Sequence, residues 1–113
     1  MATVFVVQEA TRRDEATGQF VPVDISPAAE YGDIEILFPN SRALLTPWPH
    51  IEAARRKLCH FSDDDYLLPI GDMVNIMVAG ALAAEFNRGR LKVLRWDGRI
   101  NRYIPLVLNI KGA

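Results

Sequence analysis

Cysteine is nearly absent: Cys59 is the only one in 113 residues. A lone thiol excludes an internal disulfide and leaves too few ligands for a zinc ribbon, which fits a reducing, cytoplasmic setting with Cys59 as a buried structural thiol. Long apolar runs are also missing. The longest, Met73 to Phe86, is interrupted by Asn75 and falls short of the roughly 20 residues a membrane span needs. The opening MATVFVVQEATRRDE has no basic start followed by an unbroken apolar core, so no signal peptide is expected. The glycines at 18, 32, 71, 80, 89, 98 and 112 never approach the spacing of a phosphate-cradling loop, which argues against nucleotide binding of that kind. His50, Cys59 and His60 do not repeat a zinc spacing, and no metal or cofactor is expected.

What is present suits one globular α+β domain over residues 1–113: half of the chain is hydrophobic and 24% is charged. The net charge of −1 hides a strong segregation. Residues 1–83 hold six Lys or Arg against twelve Asp or Glu, and residues 84–113 hold seven against two. A basic end of this kind could steer an anionic partner or meet the acidic face of a second copy.

The β-branched and aromatic run TVFVVQE, the polar ATRRDEATGQ with its Thr17-Gly18 turn signal, and the extended FVPVDI read together as an N-terminal hairpin. SPAAEYG offers a short helical turn with Ser26 as cap, Pro27 in the first turn and Gly32 as stop. DIEILFP follows as a third strand with Ile34, Ile36 and Phe38 on one face. From Thr46 as cap and Pro47, the stripe Trp48, Ile51, Ala54, Leu58 and Phe61 predicts a helix over 47–60, with Glu52 and Arg56 as an exposed i,i+4 pair. Ser62 and the aspartates after it predict a further short helix, stopped by Pro69. Asp72 caps the principal helix, 72–88, which Gly89 terminates. The expected architecture is a small antiparallel sheet of two β-hairpins plus a central strand, packed on two helices.

The last segment, LKVLRWDGRINRYIPLVL, is the second hairpin. A two-residue Asp97-Gly98 turn pairs Trp96 with Arg99 and Leu94 with Asn101. A five-residue loop, Asp97 to Asn101, pairs Trp96 with Arg102, Leu94 with Ile104 and Val93 with Pro105, which matches faces better and is the expected register. Gly98, Arg99 and Asn101 then lie at an exposed tip.

Three functional readings follow. The 72–88 helix is apolar almost all round, more than a domain this small can enclose, so its Met73, Ile76, Met77, Gly80 and Ala84 are candidate homodimer contacts, with the two small residues allowing close approach. This points to a non-enzymatic interaction or accessory protein, homodimeric, acting on a further protein partner. The alternative is a nucleic-acid-binding regulator in which Arg90, Lys92, Arg95, Arg99 and Arg102 contact phosphates while Trp96 and Tyr103 stack on bases. The third is a small hydrolase or metal enzyme around His60 and Asp63, Asp64 and Asp65, although no catalytic constellation can be assigned to them.

The segment DYLLPIGDMVNIMVAGALAAEFNRGRLKVLRWDGRINRYIPLVL resembles small proteins of bacteriophages and of marine bacteria, in which LLPIGD, a small-residue helix and an LRWD…RYIP hairpin occur together. The likeness covers the C-terminal half and carries no catalytic motif. It implies a phage-type accessory protein that acts by binding.

Overall fold

The computed structural model describes residues 2–38 and 48–112, with Trp48 described in its backbone alone. Five strands form one mixed sheet: β1 (Thr3–Gln8), β4 (Asp33–Phe38), β5 (Tyr66–Leu68), β6 (Arg90–Asp97) and β7 (Arg102–Asn109), in the order β4-β1-β5-β6-β7. Helices α1 (Trp48–Leu58) and α2 (Met73–Phe86) connect β4 to β5 and β5 to β6. Strands β2 (Thr11–Arg13) and β3 (Phe20–Pro22) make a separate antiparallel pair, and Ser26–Tyr31 is a 3₁₀ helix. The fold is α+β, as expected, with two helices against a sheet and a C-terminal hairpin.

The pairing inside the sheet departs from the expected antiparallel scheme. β1 runs parallel to both of its neighbours, β4 and β5, and β5 runs parallel to β6; only β6 and β7 are antiparallel. The N-terminal hairpin therefore does not contain β1. The Gly18 turn closes the small β2–β3 pair instead, with the Gly18 amide donating to the Asp14 carbonyl at 2.7 Å. The cause lies in the composition of β1. A half-exposed antiparallel strand alternates, whereas Val4, Phe5, Val6 and Val7 are all buried because both faces of the sheet are covered. Phe5 and Val7 pack with Leu67 and Leu91 under Ala54 and Leu58 of α1 and Ala79, Leu82 and Ala83 of α2. Val4 and Val6 face the other way, with Leu68, Leu94, Tyr103 and Ala28 of the 3₁₀ helix. The crossover to β4 and those through α1 and α2 use opposite faces and lead in opposite directions, as a single crossover handedness demands.

The expected helix after Ser62 is a turn followed by β5. Asp65 is buried and accepts the Ser62 amide at 2.9 Å, the Ser62 hydroxyl at 3.3 Å and, across the fold, the Thr3 amide at 3.0 Å. Those bonds hold the turn against β1 and leave Tyr66–Leu68 extended. Because α1 ends at Leu58, Cys59 falls beyond it and is exposed rather than buried. Glu52 meets Arg55 at 3.8 Å, one turn position short of the expected Arg56. The 3₁₀ helix begins after Ile25 rather than on a capping Ser26, whose amide is taken by the Asp24 carboxylate at 2.9 Å. Thr46 and Pro47, expected to start α1, lie outside the described residues. Asp72 does cap α2, accepting the Val74 amide at 2.8 Å.

In the C-terminal hairpin Trp96 pairs with Tyr103 and Asp97 with Arg102, a register one residue from the expected one and different from its rival. The Asp97 carboxylate accepts the Arg99 amide at 2.9 Å and the Ile100 amide closes on the Asp97 carbonyl, while Asn101 takes a left-handed conformation, φ 53°. This makes a four-residue loop, which face-matching alone does not reveal. Gly98, Arg99 and Asn101 are exposed at its tip.

Candidate functional site

Helix α2 turns Asn75, Ala79, Leu82 and Ala83 inward and leaves its opposite side uncovered. Met73 is 75% exposed, Val74 50% and Met77 68%, and no charge occurs on the helix before Glu85. Of the expected dimer contacts, Met73 and Met77 are thus open, Gly80 has empty space where a side chain would stand, and Ile76 and Ala84 are half-buried against the core. A second exposed apolar row lies on β7, which is an edge strand. Ile104, Leu106 and Leu108 alternate on one face of that strand, each partly exposed. Sequence periodicity identified the exposed helix residues and missed the strand row, because the latter required knowing that β7 ends the sheet.

The basic residues of the hairpin are dispersed and mostly engaged. The Arg90 Nε donates to the Asp63 carboxylate at 3.0 Å, Arg99 binds Asp97 at 3.2 Å, and Arg102 lies 3.6 Å from Glu30. The Lys92 ammonium sits 4.1 Å from the centre of the Tyr66 ring. Strand alternation sends Lys92 and Trp96 to one face and Arg95 to the other. Trp96 meets Tyr103 edge to face, centroids 4.9 Å apart, and is 45% exposed, whereas Tyr103 is buried.

Around the aspartates, the Asp63 carboxyl is held below the ordinary carboxylate range by hydrogen bonds from Arg90 and then from Asn87. Asp64 and His60 are exposed, and Asp65 is committed to its three structural bonds. Among the described residues no three His, Cys, Asp or Glu side chains come together as metal ligands would.

A cavity of about 620 Å³ opens where the parallel strands end at their carboxyl termini. β5 stops at Leu68 while β6 runs on, so Leu68, Pro69 and Ile70 form one wall and Val93, Leu94, Trp96 and Tyr103 another. Arg12, Asp24 and Arg95 supply its polar groups. Burial and the nearby Asp24 carboxylate push the Tyr103 hydroxyl above the ordinary tyrosine value, and the Ser26 hydrogen bonds keep Asp24 below that of a free carboxylate. Nothing in the local sequence signals this cavity, since Arg12 and Asp24 reach it from a separate hairpin.

No helix among the described residues is long and apolar enough to cross a membrane. Fold and surfaces together define a small α+β domain with an uncovered apolar helix face and a lined crevice at its strand ends. The chain belongs to the Phage Pam3 gp32-like protein family, which matches it over residues 2–110. The phage resemblance of the C-terminal half thus extends across nearly the whole chain. No curated protein and no solved structure matches it.

Proposed function

We propose that the protein is a non-enzymatic accessory protein that acts as a homodimer, with the outward side of α2 as its contact. The observation that carries this reading is the open run of Met73, Val74 and Met77 on a helix without a charge before Glu85. A twofold arrangement would bring each copy's methionines against the other's, with Gly80 and Ala84 permitting close approach of the helix backbones. Methionine suits such a surface because its flexible thioether adapts to an opposing face. A cytoplasmic setting fits the lone, reduced thiol.

Sedimentation of the wild type and of a Met73→Glu/Met77→Glu variant tests the proposal. The wild type is expected at twice the chain mass and the variant at the chain mass, with unchanged circular dichroism. A wild type that stays monomeric at high concentration overturns it.

A nucleic-acid-binding regulator is the second reading, favoured by the half-exposed Trp96 of the basic hairpin. Phosphate contact by Arg90, Arg99 or Arg102 would compete with the carboxylates each already meets. Titration of labelled DNA and RNA at two salt concentrations decides it: binding that weakens steeply with salt supports this reading, and no binding removes it.

A further inference from the structure

We infer that the crevice at the strand ends is a binding site for a small amphipathic carboxylate, a molecule with an apolar body and one anionic group. Its volume, about 620 Å³, lies within the range of small-molecule sites, and its walls are chiefly Leu68, Pro69, Ile70, Leu94 and the Trp96–Tyr103 pair. That lining takes an apolar body. Trp96, half-exposed, is placed to cover it and to report on it.

The charge preference comes from the three charged residues of the lining, Arg12, Asp24 and Arg95. Arg12 and Arg95 form no ion pair among the described residues, in contrast to Arg90, Arg99 and Arg102. The third group, Asp24, is already occupied by the Ser26 amide, which stabilises its charge. Asp97, the carboxylate whose field reaches Arg95, is bound twice by the Arg99 side chain. Two guanidinium groups against one satisfied carboxylate leave a cationic margin on an apolar crevice. A carboxylate matches the planar donor fork of either arginine.

The site shares none of the α2 residues of the proposed dimer contact, so the two can fail separately. Calorimetric titration with decanoate, decanol and decyltrimethylammonium, each below its micelle concentration, separates the charge requirement from simple apolar adsorption. Decanoate is expected to bind saturably, one per chain, with decanol about tenfold weaker and the cation weaker still. Arg12→Gln and Arg95→Gln should each bring decanoate toward the affinity of decanol, and Met73→Glu/Met77→Glu should bind decanoate as the wild type does. Binding should also shift tryptophan emission to the blue, and Trp96→Phe should abolish that shift. Absence of saturable binding, equal affinity for all three probes, or indifference to both arginine substitutions overturns the inference.

Discussion

Asp63, Asp64 and Asp65 are chemically identical in sequence and differ completely in place. Asp65 turns inward and takes three hydrogen bonds that tie the β5 turn to the first residue of β1. Asp65→Ala removes a buried charged acceptor and strands the Thr3 and Ser62 amides, so urea denaturation should show a loss of about 2–3 kcal/mol. Asp63 stays at the surface, where Arg90 and Asn87 hold its carboxyl below 3.8. A folded-state pKa lowered in this way gives stability that is complete above the unfolded value and disappears as the pH falls through the folded one. Carboxyl chemical shifts followed by NMR should therefore place the Asp63 midpoint below 3.8 in the wild type, and Arg90→Leu should raise it. The acidic cluster was legible from sequence, but the division of labour within it was not, because it depends on Thr3 lying 62 positions away.

At the scale of elements, α2, β4 and the presence of a C-terminal hairpin could be read from periodicity and caps. β5 could not. It has three residues, follows an acidic run and precedes a proline, so its local chemistry favours a helix start over a strand. Missing β5 also hid the alternation of strand and helix from β4 to β6 that signals parallel pairing. The hairpin register turned on the left-handed Asn101, a conformation outside any count of matched faces. The junction between β5 and α2 depends on Gly71, at φ +114°, where a Cβ would lie 2.5 Å from the Gln8 Cβ; Gln8 itself accepts the Asp72 amide at 2.7 Å. Gly71→Ala combines backbone strain with that clash and should cost about 1–3 kcal/mol, seen as a lower urea midpoint. The cavity beside this junction escaped the sequence for a related reason: its lining comes from β2, the loop after β3, β5 with the residues after it, β6 and β7, which only the fold brings together.

For the molecule as a whole, association through α2 would link folding to concentration. The thermal midpoint should then rise with protein concentration in the wild type, and stay constant for Met73→Glu/Met77→Glu, in scanning calorimetry over a hundredfold range. Growth of the sheet beyond β7 is a separate matter. The Ile110 amide donates to the Gly89 carbonyl, so by antiparallel alternation the nitrogen of Pro105 faces away from β6. The free edge lacks a donor at its middle, which discourages further strand addition and favours a closed dimer over an open chain of copies.

The placement of β1 between β4 and β5 also sets an order of events during synthesis. The apolar run Val4–Val7 leaves the ribosome ahead of both its partners: one flank has none until residues 33–38 have followed and the other none until Tyr66–Leu68 have done so. The whole stretch from β1 to β5 must therefore be made before this apolar segment is enclosed. The nascent protein carries that segment uncovered in the meantime, which makes β1 the stretch a holding chaperone would meet and the one at which a prematurely terminated chain would aggregate.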